Sequence, residues 1–278
     1  MNIRIKPRIV TGSVLATAAT CLAIQCVQAD PLFSEAFNYT AGTALADAAN
    51  INPGNGLAWS GGNSGMTIGS GNVTYPGLQD LGGNEFSLAW GAAGSAINTF
   101  TPVTSGQIYY SFLLNMTTGS GGNSYVTALN PGTTAPGGSA DAINIYIDGA
   151  NNNALRLRTA GKSEFSASSS PKLSLNTTYL VVLEYDFATT TANLWLNPTP
   201  GAAQPAATES IAGSGTVSSI ANVGFKAQSV AGAFLIDNLL VGTTWADVTP
   251  APVPEPSTLA LAALGLAGIA ARFRRTRR

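Results

Sequence analysis

The chain has 278 residues and no histidine, and its two cysteines, Cys21 and Cys26, lie near the N-terminus. This composition excludes catalysis by serine-histidine or cysteine-histidine pairs in the rest of the chain, and it excludes the usual zinc sites. Between residues 30 and 250 there are five basic side chains against thirteen acidic ones, a net charge of −8. Such an acidic body argues against nucleic acid as a partner, because phosphate binding needs clustered lysine and arginine.

Residues 1–29 have the pattern of a secretory signal peptide. Three basic residues precede a largely apolar run at 9–24, and the small residues Val27 and Ala29 stand where a signal peptidase reads. We therefore expect signal peptidase to cut between Ala29 and Asp30, which leaves a mature chain without cysteine. Lipoprotein processing at Cys26 and an uncleaved anchor helix are the alternatives.

Short β-rich runs separated by turn residues predict an all-β sandwich over residues 30–249. The isoleucines of the run 142–148 alternate with Asn144, Tyr146 and Asp148, so this strand is expected to bury one face and to present a polar outer face. The asparagine-rich segment 148–153 predicts a hairpin, and residues 186–190 predict another turn. The clearest strand candidates are 108–115, 142–148, 154–158, 179–187, 191–196 and 233–241.

One pair of acids has a spacing that suits catalysis. Glu184 and Asp186 alternate along a predicted strand and share one face, and glycoside hydrolysis needs two carboxylates. The same spacing suits a polar outer face opposite Val181, Leu183 and Tyr185, and we prefer this interpretation. The sequence therefore predicts a protein that is not an enzyme.

Aromatic and amide side chains offer material for carbohydrate binding, although tryptophans are more often core residues. The candidates are Trp59, Trp90, Trp195, Trp245, Tyr109, Tyr146 and Asn151 to Asn153.

The C-terminus has three successive parts. Residues 250–256 are proline-rich and predict an extended stalk, because proline fixes φ and lacks the amide donor. Residues 257–271 are apolar and uncharged and predict a short transmembrane helix; at about 1.5 Å per residue they reach about 22 Å, which snorkelling arginines can extend. Residues 272–278 carry the arginines expected on the cytoplasmic side, namely Arg272, Arg274, Arg275, Arg277 and Arg278.

The order of Val-Pro-Glu-Pro-Ser, apolar helix and terminal arginines, from Val253 to Arg278, resembles the PEP-CTERM sorting signal of exopolysaccharide-producing Gram-negative bacteria. The resemblance implies that an exosortase recognises Pro254, Glu255 and Pro256 and cuts near them. It also implies export through the inner membrane, a transient anchor there, and a final place at the cell surface or in the extracellular matrix. The alternative is a proline linker followed by an ordinary tail anchor.

The segments 32–45 and 234–248, together with the strand order, resemble concanavalin-like, LamG-type jelly-roll domains. In such sandwiches the first and last strands pair, so the resemblance implies that Glu35 and Asp237 approach each other and hold a structural calcium ion, the only cofactor expected. The alternative is that both are solvated acids at strand edges. Concanavalin-like glycanases use a longer acidic run, and Ala188 and Thr189 stand where its last glutamate belongs.

We therefore expect an exported, non-enzymatic structural protein of the surface or of a biofilm and exopolysaccharide matrix. A lectin-like module that binds exopolysaccharide or another glycan is the alternative, and a glycoside hydrolase is the weaker one.

Overall fold

A computed structural model describes residues 30–62, 65–89, 94–119, 121–138, 141–162, 170–227 and 232–252. These residues form fourteen strands, a 3-10 turn at Gly149–Asn151 and one short helix, α1, at Trp245–Val248. The strands are β1 (Phe33–Glu35), β2 (Ser60–Gly61), β3 (Met66–Ile68), β4 (Phe86–Leu88), β5 (Gly94–Val103), β6 (Gln107–Thr118), β7 (Asn123–Asn130), β8 (Ile143–Asp148), β9 (Ala154–Thr159), β10 (Thr178–Asp186), β11 (Thr191–Leu196), β12 (Glu209–Ala212), β13 (Ile220–Ala227) and β14 (Ala233–Gly242).

The strands form two antiparallel sheets. An eight-stranded sheet has the order β12-β11-β10-β6-β14-β4-β3, with β1 also paired to β14, and a six-stranded sheet has the order β2-β5-β13-β7-β8-β9. The first and last strands pair, with Phe33 opposite Val241 and Glu35 opposite Leu239. The prediction of an all-β jelly-roll sandwich is confirmed.

The main core lies between the two sheets and is built from alternate positions of their strands. Ile143, Ile145 and Ile147 of β8 face Val181 and other inward residues of the eight-stranded sheet. Burial of each large apolar side chain contributes about 1.5 to 3 kcal/mol. This alternation fixes which side chains remain for the two outer faces.

The six strand candidates of the sequence all correspond to strands, and both predicted turns are present. In the 148–153 hairpin, Asn152 and Asn153 adopt φ of 63° and 57°, which asparagine tolerates better than most residues. Thr190 closes the 186–190 turn with φ of 54°. Two long central strands of the six-stranded sheet, β7 and β13, were not among the candidates.

The outer face of the eight-stranded sheet carries a second apolar layer, which we call the outer apolar layer. Loop 70–82, loop 197–208 and α1 cover it, and Thr244 and Asp247 cap α1 reciprocally as a capping box. Its buried members are Val73, Leu78, Tyr109, Leu113, Leu180, Val182, Trp195, Leu240, Trp245 and Val248.

Candidate functional site

The residues predicted for export lie at the two ends of the chain. Asp30, the predicted mature N-terminus, is exposed and is the first residue that the structure describes. Among the described residues, no helix is long and apolar enough to span a membrane. The short transmembrane helix therefore stays a prediction. Outside the described residues lie Ala29, Pro254, Glu255, Pro256, residues 257–271, Arg272, Arg274, Arg275, Arg277 and Arg278.

The body holds the start of the proline-rich stalk against the outer apolar layer. The amide of Gly201 donates to the Thr249 carbonyl at 2.7 Å, and the amide of Gln79 donates to the Pro250 carbonyl at 2.8 Å. Both donors belong to loops that cover the eight-stranded sheet. The chain therefore leaves the sandwich on the side of this sheet.

Glu35, the first predicted calcium ligand, is buried and accepts four hydrogen bonds from the protein. Its Oε1 accepts from the amide of Phe37 at 2.8 Å. Its Oε2 accepts from the Tyr39 hydroxyl at 2.6 Å, the Asn52 amide at 2.9 Å and the Trp59 indole at 2.9 Å. Glu35 is thus an internal tie between β1 and the following loop, and not a solvated edge acid.

Asp237, the second predicted ligand, belongs to a different network. Its Oδ2 accepts from the amide of Val73 at 2.8 Å, in the loop over the outer apolar layer, and its Oδ1 accepts from the amide of Asn238 at 2.7 Å. The described residues contain no group of three or more acidic, histidine or cysteine side chains that could share a metal ion. A calcium ion between Glu35 and Asp237 stays a prediction that these contacts do not favour.

Glu184 and Asp186 share the outer face of β10, but they serve different local contacts. Glu184 is 3% exposed, and its Oε2 accepts from the side-chain Nδ2 of Asn193 at 3.1 Å. Asp186 accepts from the amides of Ala188 at 2.8 Å and Thr189 at 3.2 Å, so it stabilises the β10–β11 turn. The two residues that replace the last glutamate of a glycanase run are therefore partners of Asp186 in a turn.

The surroundings of Glu184 are polar but enclosed. Burial is the main cause that raises the pKa of Glu184, while hydrogen bonding to Asn193 opposes the rise. Tyr109 lies opposite Glu184 in the register, and its hydroxyl contacts Gln204 at 3.1 Å in the loop that covers this part of the sheet. Asp186, on the same face of β10, also raises the pKa of Glu184, and the acid is a buried polar contact beneath a loop.

The described tryptophans are core residues, as the sequence favoured. Trp59 stacks on Phe225 inside the main core, with ring centroids 5.2 Å apart. Trp195 and Trp245 meet edge to face at 5.1 Å in the outer apolar layer, and their indole groups donate to the carbonyls of Pro205 and Ala202. Trp90 lies outside the described residues.

The outer face of the six-stranded sheet carries a row of aromatic and basic side chains. Tyr125 of β7 lies opposite Tyr146 of β8, which lies opposite Arg156 of β9. The two tyrosine ring centroids are 3.7 Å apart, and Lys226 of β13 places Nζ 5.1 Å from the Tyr125 ring centre. A cation therefore stands at each end of an aromatic pair. We call the outer surface of β7, β8, β9 and β13 the basic face.

The loop at 131–138 closes one part of the basic face. A side chain at Gly224 of β13 would collide with the ring of Pro136, so this glycine permits the close approach of the loop. Asp141 holds the end of the loop, since its Oδ2 accepts from the backbone amide of Gly137 at 3.0 Å and from the side-chain Nδ2 of Asn144 at 2.9 Å. Burial raises the pKa of Asp141. The sequence predicted the polar outer face at Asn144, but not the loop that buries it.

Further basic side chains extend this face along β9. Arg156 forms a salt bridge with Asp148, with 2.7 Å between Nη2 and Oδ2. Burial opposes ionisation of Asp148, but Asn151 and Arg156 outweigh it and hold the pKa of Asp148 below its usual value. Arg158 donates to the carbonyl of Lys162 at 2.6 Å. Lys172 forms an isolated antiparallel β-bridge with Ala154 at the edge of β9, and Lys172 is exposed.

No local pattern predicts that Lys226 lies on the same face as Arg156, because seventy residues separate the two. They approach only through the strand order β13-β7-β8-β9. The signal that was available was the alternation of Arg156 and Arg158 with Leu155 and Leu157, which places both arginines on one face.

Comparison with known proteins adds one motif and one fold. A family model described as the PEP-CTERM protein-sorting motif matches residues 252–275. No curated protein matches the chain by sequence. The resemblance at the C-terminus is thereby confirmed, and it covers the tail and not the sandwich.

Solved structures resemble the sandwich. The globular domain of T. cruzi calreticulin matches with a TM-score of 0.51 at 12% identity, over 79% of this chain and 90% of that one. A sialidase matches with 0.42 at 13% identity, over 66% of this chain and only 17% of the sialidase. A mutant of the Emp46p carbohydrate recognition domain matches with 0.42 at 9% identity, over 66% and 88%. The chain thus carries a PEP-CTERM sorting motif behind a concanavalin-like jelly-roll sandwich.

Proposed function

We propose that this chain is an exported substrate of an exosortase that acts without catalysis at the cell surface or in the extracellular matrix of a Gram-negative bacterium. The observation that carries the proposal is the PEP-CTERM motif at 252–275. Signal peptidase removes residues 1–29 during export. The tail then holds the chain in the inner membrane until exosortase cuts near Pro254 to Pro256.

Two features of the body support a role without catalysis. The chain contains no histidine. Its one strand-borne acid pair is committed to structure, since Asp186 stabilises a turn and Glu184 is held by Asn193 under a loop. A glycosidase needs one carboxyl to protonate the leaving group and a second to act as nucleophile or base across the same bond.

Mass spectrometry of the exported protein tests the processing steps. We expect an N-terminus at Asp30 and a C-terminus close to Pro254 to Pro256. A Glu255→Ala variant should keep the intact tail and accumulate in the membrane, whereas Ala251→Ser, just upstream, should be processed normally. Intact Arg278 throughout the mature extracellular pool would contradict the proposal.

Incubation with polysaccharides tests the absence of catalysis. We expect no shortening of any chain by the exported protein. Shortening that disappears in a Glu184→Gln, Asp186→Asn double variant would instead identify this pair as catalytic.

Carbohydrate binding is a second candidate, and the basic face is the observation that favours it. Sugar sites combine aromatic surface with a few fixed polar groups, and Tyr146 is partly exposed between the buried Tyr125 and the partly exposed Arg156. A glycan array with the exported protein tests this candidate. Absence of binding to every glycan would exclude it and would leave the structural matrix role.

A further inference from the structure

We propose that the basic face binds an acidic polysaccharide, one whose sugars carry carboxylate groups. This inference rests on the carbohydrate-binding candidate above and specifies its ligand.

Four of the five basic residues between positions 30 and 250 stand on the outer face of the six-stranded sheet or at its β9 edge, and Lys162 lies in the turn that follows β9. Two stand on β9, two lie in the segment that follows it, and one stands on β13. In chain order they are Arg156, Arg158, Lys162, Lys172 and Lys226. The body as a whole is acidic, so this grouping runs against its average charge.

The described acids are placed differently. Asp148, on β8, and Asp141, just before it, are 7% and 1% exposed. Nine of the other ten lie on strands of the eight-stranded sheet or in the segments joined to them, and Asp47 lies in the segment that joins β1 to β2. All five basic side chains are partly or fully exposed. Among the described residues, the charges that the basic face exposes to solvent are therefore positive, because Asp141 and Asp148 are buried.

The geometry of the row suits a polymer of sugars better than a single ion. Lys226, Tyr125, Tyr146 and Arg156 come from four neighbouring strands, and three strand spacings of about 4.8 Å make the row about 14 Å long. This length exceeds the width of one sugar ring. Tyr125 is buried and the Lys226 ammonium lies against Gly137 of the loop at 131–138, so solvent reaches the row at Tyr146, at Arg156 and at the open part of Lys226. A chain with an apolar ring face and carboxylates at intervals can meet the partly exposed tyrosine and the cations on either side of it.

The position of the stalk leaves this face accessible. Thr249 and Pro250 leave the body from the side of the eight-stranded sheet, where Gly201 and Gln79 hold them. The basic face lies on the opposite side of the sandwich. A chain still held by its tail therefore presents this face away from its attachment.

The charge on the sugar is the variable to test. We would measure binding of the full-length protein, in mild detergent, to polygalacturonate and to its methyl ester, which has the same backbone without the charge. We expect binding to polygalacturonate that weakens as ionic strength rises from about 0.01 M to about 1 M, since the Debye length falls from about 30 Å to about 3 Å. The methyl ester should bind weakly or not at all.

Two variants and one matched control locate the site. Lys226→Gln should weaken binding to polygalacturonate about threefold to tenfold. Lys172 is exposed, so Lys172→Gln carries less risk for the fold, and it should weaken binding less. Ala203→Glu changes the net charge by the same amount in an exposed loop over the eight-stranded sheet, and it should leave binding within about twofold. Thermal unfolding shows whether each variant keeps the fold.

The outcomes separate the two proposals. Equal binding of polygalacturonate and its ester would overturn the acidic ligand but keep carbohydrate binding. Binding of neither, with a folded protein, would overturn both. An effect of Ala203→Glu as large as that of Lys226→Gln would show that net charge alone is responsible. Equally tight binding of a DNA duplex at the same charge concentration would contradict a sugar-specific site.

Discussion

The two outer faces of the sandwich differ in what lies on them. The eight-stranded sheet carries a second apolar core, sealed by two loops and α1. The six-stranded sheet carries two tyrosines and three of the five basic side chains of the body, and among the described residues the loop at 131–138 closes over part of it. The outer face of the eight-stranded sheet stabilises the fold and holds Thr249 and Pro250 at the start of the stalk. The proposed polysaccharide site lies on the other face.

The largest expected effect concerns the covered face. Trp245 is 9% exposed, and it contacts Trp195 at 5.1 Å and Tyr109 at 6.3 Å between ring centroids. We expect Trp245→Ala to lower the free energy of unfolding by about 3 to 5 kcal/mol, because it leaves a cavity and removes the anchor of α1. Chemical denaturation measures the loss.

The matched control for that variant is Leu57→Ala, since Leu57 is a large apolar residue with 47% of its surface exposed. It should cost no more than about 0.5 kcal/mol. Similar costs for the two variants would mean that the outer apolar layer is not a core, and the contrast between the faces would fail.

The strands that the sequence predicted share a simple feature. In β8, β10 and β14, large branched or aromatic residues occupy the inward positions, and such runs identify themselves through local pattern alone. β13 also has large inward residues, Val223 and Phe225, but its outer face breaks the local pattern. Gly224 there lies against the ring of Pro136, and the buried Asn222 donates to the carbonyls of Gly132 and Thr134. Its residues suit partners 90 positions away, which no local pattern reports.

In the candidate site, too, local alternation predicts some features, while others depend on distant residues. The outward direction of Asn144, Tyr146 and the acid at 184 followed from alternation, and the structure confirms it. The cover over Glu184 and Asn144 comes from loops, and the meeting of Lys226 with Tyr125 depends on strand order. Period-two patterning can place a side chain on a face, but it cannot say what lies across from that face.

The next largest effect concerns Asp237, the buried acid beneath the loop that covers the eight-stranded sheet. Burial, with smaller contributions from Asp80 and Glu85, raises the pKa of Asp237 from its ordinary value of 3.8 to about 7. Because the folded pKa lies above the unfolded one, the protonated form stabilises the fold. This stabilisation is complete below about pH 4 and is lost as pH rises through about 7.

Comparison with Asp237→Asn isolates this contribution. The stability of the natural protein relative to the variant should fall by about 2 to 4 kcal/mol between pH 4 and pH 8. Urea denaturation at several pH values measures it. A difference that stays constant, or that grows with pH, would show that Asp237 is ionised in the folded protein.

The smallest effect concerns the basic face, and its pH dependence has the opposite sign. Asp148 has a lowered pKa, so its contribution is present above its unfolded pKa and is lost as pH falls through the lower folded value, in the region below about 4. The side chains of Arg156 and Asp148 keep 16% and 10% of their surfaces in solvent, so screening limits the pair to about 1 kcal/mol.

We expect Asp148→Asn to cost about 1 kcal/mol at pH 7 and less at pH 3. The same variant should strengthen binding of an acidic polysaccharide, because Arg156 loses its competing carboxylate. Denaturation and binding can be measured on the same preparation. A variant that loses stability and polysaccharide binding together would show that the ion pair builds the face, and the separation between a stabilising side and a binding side would no longer hold.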